Sequence, residues 1–401
     1  MKLAGNAELG HLTYCTNIHP GESWPEVRAA LTKHLPEVRR QVAADRPFGV
    51  GLRLAAVAAE ALRHPAAMDE LKALLGANSC YAFTINGFPY GPFHGRRVKE
   101  AVYRPDWRHE ERVSYTNLLA DLLVELLPGD DALDGSISTV PGTFKALAAA
   151  PGAVPAIARN LIRHAAHLVA IRARSGRTIA LALEPEPCCF LETIDETVRF
   201  FEQQLFGAAA VRQLGELTGL ARGAAAEALR RHLGVCYDVC HAAVEFEDPA
   251  DSLRALRAAG IGVPKLQLSA ALRIAEVGPA TAEQLRPFDE PVYLHQVIRR
   301  DGEGLTRYLD LPDALATIDQ SIGAEWRVHF HVPIFLAELQ DFSTTQGFLR
   351  EILALHRQEP IAAHLEVETY TWDVLPARYR QVDVASAVAR ELAWVIEQLD
   401  A

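Results

Sequence analysis

Residues 178–187 read TIALALEPEP, a short apolar run that ends abruptly at Glu184. Helix-like stretches lie on both sides of this run, at 155–174 and 195–205. A strand that is apolar on both faces is typical of a parallel sheet that is covered by helices on both sides. The stretch therefore predicts one strand of a βαβ unit, with polar side chains placed where the strand ends.

The same alternation continues along the rest of the chain. Strand-like runs separated by helical stretches occur at 12–18, 48–54, 79–86, 136–140, 178–184, 233–238, 265–269, 327–333 and 361–369. Short strands that alternate with longer helices indicate a parallel sheet built from βαβ units. We expect an α/β protein, a (β/α)₈ TIM barrel that forms a single domain over residues 1–401. An open doubly wound sheet is the alternative, because periodicity does not reveal whether a sheet closes.

These are nine candidate strands, where a TIM barrel has eight. The surplus lies between residues 270 and 333, which also contain a hairpin-like pattern. In that pattern two strand-like runs, 292–299 and 305–311, flank Asp301-Gly302-Glu303-Gly304. We therefore predict an inserted hairpin region after the seventh barrel strand, at about residues 274–326.

Composition narrows the class of protein. The 401 residues carry a formal net charge of −11, which argues against a nucleic-acid partner. The N-terminus lacks the apolar core of a signal peptide, and no apolar run is long enough to span a membrane. The six cysteines contain no CxxC pair, which favours free thiols. We expect a cytoplasmic protein that binds a small polar metabolite, and the oligomeric state stays open.

Carboxylates and histidines cluster where the apolar strands end. Glu184 closes one strand, Asp238 closes the next and is followed by His241, and His329 and His331 lie two residues apart. Such groups are costly to bury unless they are paired or bind metal. Mixed oxygen and nitrogen ligands suit Mn²⁺, Zn²⁺, Mg²⁺ or Co²⁺. The predicted ligands are Glu184, Asp238, Gln267, His331 and Glu368, and the alternative is a buried salt-bridge network with Lys or Arg.

The last strand has a polar residue at every second position, His364, Glu366 and Glu368. All three side chains therefore face the same way, towards the barrel interior. Glu368 is favoured over Glu366 as the ligand, because TIM-barrel sites lie at the carboxyl ends of the strands. Glu366 is expected lower in the barrel, with a structural partner. Polar groups near the ends of other strands predict substrate contacts at His19, Asn86, His94, His241 and His329.

The order of these residues resembles the xylose-isomerase-like TIM-barrel superfamily, which includes sugar isomerases, sugar epimerases and endonuclease IV. The resemblance implies that Glu184, Asp238 and Glu368 bind a divalent metal. It also implies that Glu184 and Glu368 are catalytic and move a proton on opposite faces of a carbon next to a carbonyl. The fourth ligand is usually histidine, but Gln267 stands at that position, and His241 or His331 would then complete the site.

Longer phrases at 13–24, 86–91 and 368–372 resemble EboE-type metabolite traffic proteins, which are encoded with a prenyltransferase-like membrane protein. That resemblance implies a role in metabolite biosynthesis or export, with pathway partners at the membrane. Three functions stay open at this point. They are a metal-dependent isomerase or epimerase acting on a sugar, cyclitol or polyol, a metal-dependent phosphoesterase of the endonuclease IV type, and a non-catalytic metabolite-binding protein.

Overall fold

The computed structural model describes residues 1–3, 7–129, 133–302 and 304–400. Strands are numbered along the chain, and eight of them form one parallel sheet. Most of their residues are buried on both faces, as the apolar runs predict. These strands are β1 (His11–Tyr14), β2 (Phe48–Arg53), β3 (Cys80–Asn86), β4 (Gly135–Thr139), β5 (Ile179–Leu183), β6 (Leu233–Asp238), β7 (Gly262–Leu268) and β14 (His364–Val367).

The parallel sheet curls into a nearly closed barrel. Its strand order is β1-β14-β7-β6-β5-β4-β3-β2, which leaves β1 and β2 at the two ends. Those ends meet, because Cys15, next to β1, forms a parallel bridge with Gly51 of β2. The predicted (β/α)₈ barrel is confirmed, and the open doubly wound alternative is wrong.

Helices surround the barrel and cover its strands. The first helix begins at a capping box, in which the Glu26 carboxylate accepts a hydrogen bond from the Ser23 backbone N–H at 2.9 Å. The helices are α1 (Trp24–Val42), α2 (Ala56–Ala61), α3 (Pro65–Ala77), α4 (Glu110–Leu126), α5 (Lys145–Ala148), α6 (Ala153–Ser175), α7 (Ile194–Phe200), α8 (Ala208–Thr218), α9 (Arg222–His232), α10 (Val239–Val244), α11 (Pro249–Ala258), α12 (Thr281–Leu285), α13 (Leu311–Leu315), α14 (Gln346–Gln358) and α15 (Val384–Asp400). Among the described residues, none of these helices combines the length and the apolar character needed to cross a membrane.

A second sheet lies in the chain between β7 and α14. It is antiparallel, with the order β10-β9-β11-β8-β13-β12. Strands β9 and β10 pair as a hairpin at the predicted place, although Glu303 in its turn lies outside the described residues. The sheet consists of β8 (Leu272–Ile274), β9 (Val297–Asp301), β10 (Gly304–Tyr308), β11 (Glu325–Val328), β12 (Glu338–Leu339) and β13 (Phe342–Thr344).

This inserted sheet extends beyond the predicted boundaries of 274–326 on both sides, over residues 272–344. Only the start of the strand-like run 327–333 is a strand, and it belongs to β11 of the inserted sheet. The two ends of the insertion meet at the barrel. The Thr345 N–H donates to the Ala271 carbonyl, and the Ala271 N–H donates to Thr345 Oγ1, both at 2.9 Å.

The lower part of the barrel interior contains a buried ion pair. Lys265 Nζ of β7 lies 2.5 Å from Glu366 Oε2 of β14, and both side chains are fully buried. Gly51 of β2 faces this pair, and a Cβ atom there would lie 1.7 Å from Glu366 Oε1. Glycine at this position therefore leaves the space that the carboxylate occupies. Glu366 has the structural partner that the period-two pattern predicts.

Candidate metal centre

Three carboxylates converge at the carboxyl ends of the barrel strands. Glu184 follows β5, Asp238 ends β6 and Glu368 follows β14, and each is at most 4% exposed. Each residue offers one oxygen, and these three oxygens lie within 4.8 Å of one another. The polar residues predicted at separate strand ends therefore meet at one point. Glu184, Asp238 and Glu368 are called the carboxylate trio below.

The carboxylate trio lacks a compensating cation among the described residues. Asp238 Oδ1 accepts hydrogen bonds from Ser269 Oγ at 2.7 Å and from the His241 backbone N–H at 3.0 Å. In contrast, Asp238 Oδ2 and Glu184 Oε2 are buried and have no hydrogen-bond partner within the described part of the chain. Lys265, whose charge lies near the trio, pairs with Glu366 instead. The salt-bridge network considered as an alternative therefore accounts for Glu366 and not for the trio.

The close approach of the buried carboxylates changes the pKa of two trio members. Burial, and then the neighbouring carboxylates, raise the pKa of Glu184 well above its ordinary value. Burial and the neighbouring Asp238 likewise raise the pKa of Glu368 to about 8. A carboxylate shifts in this direction when its charge is neither solvated nor paired. A divalent cation among the oxygens would reverse the shift, because it favours the charged form of each ligand.

Two asparagines fix one oxygen of Glu368. Asn17 Nδ2 donates to Glu368 Oε1 at 2.7 Å, and Asn86 Nδ2 donates to the same oxygen at 2.9 Å. Asn86 is itself held by the Phe88 N–H, which donates to its side-chain oxygen at 3.0 Å. Asn86, a predicted substrate contact, lines the cavity described below and also orients Glu368.

Three histidines lie next to the carboxylate trio. His241 comes from α10, while His329 and His331 follow β11 of the inserted sheet. His329 Nε2 lies 3.2 Å from His241 Nε2 and 3.2 Å from His331 Nε2. Burial lowers the pKa of His329 well below its ordinary value and that of His331 to about 4, so both rings are neutral near pH 7. His241, His329 and His331 are called the histidine cluster below.

The two groups are joined through Asp238. His241 Nε2 lies 3.9 Å from Asp238 Oδ2, and ligand atoms of Asp238, His241 and His331 lie within 4.8 Å of one another. His331 also approaches Glu368, with its Nδ1 at 4.0 Å from Oε2. His331 therefore borders the carboxylate trio, as a predicted ligand should.

Gln267 is buried inside the barrel, beside the trio. It pairs in register with Asp238 of β6 and with Glu366 of β14. Its Oε1 lies 4.0 Å from Cys236 Sγ, and its Nε2 has no hydrogen-bond partner in the described residues. Gln267 therefore lies on β7 as predicted, and its role as a metal ligand stays a prediction.

Two predicted substrate contacts, His19 and His94, do not line the central cavity, and their role as substrate contacts stays a prediction. His19 Nε2 lies 3.1 Å from Tyr14 Oη, and its ring stacks on His34 with 4.2 Å between centroids. His94 Nε2 lies 2.6 Å from the Asn17 carbonyl, so it supports the loop that carries Asn17. Both histidines belong to loops whose path the local sequence leaves undetermined, and both are satisfied by protein groups.

The cavity above the carboxylate trio combines charged groups with aromatic rings. It contains His241 and His329, as predicted, and it also contains Glu186, which the sequence reasoning did not single out. Glu186 stands two residues after Glu184 in the Glu-Pro-Glu-Pro run, and that spacing could have identified it. The described residues that line the cavity include Asn17, Asn86, Phe88, Phe93, Lys99, Tyr103, Glu184, Glu186, His241, Tyr293, His329, Glu368 and Tyr370.

Comparison with solved structures identifies the fold as that of xylose-isomerase-like TIM barrels. A protein of this type from Mycobacterium smegmatis, crystallised in complex with magnesium, has 10% sequence identity to this chain. The match covers 97% of this chain and 96% of that protein, with a TM-score of 0.51. No protein-family model matches the chain, and neither does any curated protein.

Two further structures match with lower TM-scores. The IolI protein with a binding zinc atom has 13% identity and a TM-score of 0.46, with 97% of this chain and 98% of that chain covered. The probable 3-DHS dehydratase AsbF from Bacillus anthracis has 11% identity and a TM-score of 0.43, with 96% and 97% covered. At these identities the likeness concerns the fold alone, and the EboE resemblance stays a prediction.

Proposed function

We propose that this protein is a metal-dependent isomerase or epimerase acting on a sugar, cyclitol or related polyol. The observation that carries the proposal is the carboxylate trio, which places unpartnered buried oxygens at the mouth of a TIM barrel. Enzymes of this architecture carry out catalysis at that end of the barrel. Buried carboxylates without a cation are rare, and a divalent metal removes the conflict.

The trio fits a divalent cation on the chemistry of its donors. Glu184, Asp238 and Glu368 would hold the ion, and Gln267 and His331 are the neighbouring candidates for further ligands. Oxygen-rich ligands of this kind suit Mg²⁺ or Mn²⁺, and histidine would extend the range to Zn²⁺ or Co²⁺. When bound, such an ion polarises a substrate carbonyl and stabilises the negative charge that develops on its oxygen.

In this proposal Glu184 and Glu368 move the proton. One carboxylate removes the proton from the carbon next to the carbonyl, and the other returns a proton to the same carbon or its neighbour. The amides of Asn17 and Asn86 hold Glu368 Oε1, which leaves Oε2 for the substrate. Phe88 and Tyr293 line the cavity and place apolar surface beside these carboxylates.

The test begins with metal-free protein, prepared by chelation and supplied separately with Mn²⁺, Zn²⁺, Mg²⁺ or Co²⁺. We expect the melting temperature to rise with at least one ion, because a ligand that binds only the folded state stabilises it. With that ion present, aldose, ketose and cyclitol candidates in D₂O should take up deuterium next to the carbonyl. No thermal shift with any ion would favour the non-catalytic binding protein.

Substitutions then connect the activity to the trio. Glu184→Gln and Glu368→Gln should each abolish deuterium uptake while the fold is retained, as checked by circular dichroism. Glu391→Gln is the matched control, because Glu391 is also a buried glutamate but does not line the cavity. Unchanged uptake in the Glu184 variant would contradict the proposed mechanism.

A metal-dependent phosphoesterase is the second candidate, and the histidine cluster beside the trio favours it. Several neighbouring metal ions are typical of enzymes that cleave phosphate esters. The net charge of −11 argues against a nucleic acid, so the substrate of this reaction would be a small phosphorylated metabolite. Phosphate release from sugar phosphates without deuterium uptake would favour this reaction over isomerisation.

A further inference from the structure

One face of the inserted sheet carries a group of arginines around a single glutamate. Arg327 of β11 lies directly opposite Arg273 of β8. Glu325, also of β11, lies directly opposite Arg300 of β9. Residues that pair across strands, or that lie two apart in one strand, share a face of the sheet. The four side chains therefore lie together, and none of them lines the cavity above the carboxylate trio.

The Glu325 carboxylate is shared by all three arginines. Its Oε1 accepts from Arg273 Nε at 2.8 Å and from Arg327 Nε at 3.0 Å, and its Oε2 accepts from Arg300 at 2.6 Å. Burial alone would raise the pKa of Glu325, but the hydrogen bond from Arg273 and the charge of Arg327 lower it to about 2. Three guanidinium groups and one ionised carboxylate leave an excess of two positive charges. We call Arg273, Arg300 and Arg327 the arginine patch.

The other two arginines of the β9–β10 hairpin do not share a carboxylate in this way. Arg299 donates to Asp301 at 2.6 Å. Arg307 pairs with Glu245 and lies 3.3 Å from Glu192. The uncompensated charge therefore belongs to the arginine patch, in a protein whose formal net charge is −11.

Phe246 orients two of the guanidinium groups. The Cζ atoms of Arg300 and Arg327 lie 4.4 Å and 3.9 Å from the centre of its ring. Such stacking holds the flat face of a guanidinium and leaves its N–H edges for hydrogen bonds. The Arg273 and Arg300 side chains are 38% and 42% exposed. Each donates through one nitrogen within the described part of the chain, so most of its five N–H bonds are available to a ligand.

We infer that the arginine patch is a binding site for a phosphate monoester dianion. Such a group carries a charge of about −1.5 to −2 near pH 7, which matches the excess positive charge of the patch. Its oxygens accept the paired N–H bonds that a guanidinium presents. Two sources carry this chemistry, a phosphorylated small metabolite and a phosphorylated side chain of a partner protein. Because the patch lies outside the central cavity, the inference does not depend on the proposed function.

Isothermal titration calorimetry of metal-free protein tests the inference. The metal is removed because an ion at the carboxylate trio could itself bind phosphate. The probes are glucose 6-phosphate and a phosphoserine peptide, with glucose and the unphosphorylated peptide as blanks. We expect saturable binding of one ligand per chain for a phosphorylated probe and none for its blank. Tighter binding of glucose 6-phosphate would indicate a small metabolite, and tighter binding of the peptide would indicate a partner protein.

Substitutions then locate the binding. Arg273→Ala and Arg300→Ala should each raise the Kd of the probe about tenfold or more, because each removes charge-assisted hydrogen bonds. Arg300→Lys should recover only part of the affinity, since lysine keeps the charge but lacks the planar pair of donors. Arg163→Ala is the matched control. Arg163 is similarly exposed, at 40%, but has its own carboxylate in Glu110 at 2.9 Å, so this variant should bind as the wild type does.

The melting temperature of each variant shows whether it folds, and Arg300→Lys keeps the test decisive if an alanine variant does not. No saturable binding of either phosphorylated probe by the wild type at millimolar concentration would overturn the inference. An unchanged Kd in folded Arg273→Ala and Arg300→Ala proteins would also overturn it, as would an equal loss of affinity in Arg163→Ala.

Discussion

Buried charged groups are accommodated differently in the lower part of the barrel interior and at its mouth. The lower part, called the floor here, contains the Lys265–Glu366 ion pair at 2.5 Å and His364, whose Nδ1 lies 2.7 Å from Ser136 Oγ. The mouth contains the carboxylate trio and the histidine cluster, where Asp238 Oδ2 and Glu184 Oε2 have no hydrogen-bond partner among the described residues. Both regions are buried to a similar degree. The floor pairs its principal charge within the chain, whereas the mouth leaves buried carboxylate oxygens without a partner among the described residues.

The largest expected effect tests the floor. Lys265→Met removes the cation that pairs with Glu366 among the described residues and leaves that carboxylate buried. We expect the free energy of unfolding to fall by about 3–5 kcal/mol, the cost of breaking a buried ion pair from one side. Urea denaturation of the metal-free protein measures it. Adding Glu366→Gln to this variant should recover part of the loss, and a loss below about 1 kcal/mol would show that the floor is not held by charge pairing.

Glu391 tests hydrogen bonding to a buried carboxyl group, as distinct from charge pairing. This buried glutamate of α15 accepts from Thr369 Oγ1 at 2.6 Å and from the Ile334 N–H at 3.1 Å, and burial raises its pKa to about 7. The folded protein therefore binds this proton more tightly than the unfolded chain does. The resulting stabilisation is complete below pH 4.5 and is lost as pH rises to about 7.

Glu391→Gln should remove this dependence on pH. Relative to the variant, the wild type should lose about 3 kcal/mol of unfolding free energy between pH 4.5 and pH 7. Urea denaturation at several pH values measures the difference. Parallel pH profiles for the two proteins would contradict the prediction.

Gly51→Ala tests how tightly the floor is packed. The new Cβ would lie 1.7 Å from Glu366 Oε1 and 2.8 Å from the Tyr14 carbonyl. The ion pair with Lys265 prevents the carboxylate from moving away, so we expect a loss of about 1–3 kcal/mol. Gly76→Ala is the control, because a Cβ there meets no atom within 4 Å and replaces glycine in a helix. The control should be neutral or gain up to about 1 kcal/mol in thermal denaturation.

The smallest expected effect is a gain in stability, and it comes from a substitution at the mouth. Glu184→Gln replaces a buried carboxylate that lacks a partner, so the metal-free protein should gain about 1–2 kcal/mol at pH 7. In saturating metal the order should reverse, because the variant loses a ligand. Thermal denaturation with and without the ion compares the two conditions. A destabilised metal-free variant would show that Glu184 already has a stabilising partner in the folded protein.

The sequence predicted the barrel and the trio because both depend on local patterns. A polar residue marks the end of an apolar strand, and parallel strands bring their carboxyl ends together at one mouth of the barrel. Position along the last strand also predicted that Glu366 lies lower in the barrel, where it pairs with Lys265, and that Glu368 lies nearer the mouth. No local pattern could place the contacts between distant segments, such as the bond from Asn17 to Glu368 or the contact between His329 and Gln296. For the same reason no local pattern could show that His19 and His94 lie outside the lining of the central cavity.

Ala271 and Thr345, where the inserted sheet leaves and rejoins the barrel, are joined by hydrogen bonds. Since the insertion leaves and rejoins the barrel at adjacent residues, a short turn could replace it without breaking the barrel's own strand order. The barrel strands carry the three carboxylates, whereas the exchangeable segment carries His329 and His331. Replacing the segment at this junction would therefore remove His329 and His331 in one step and leave the three carboxylates in place.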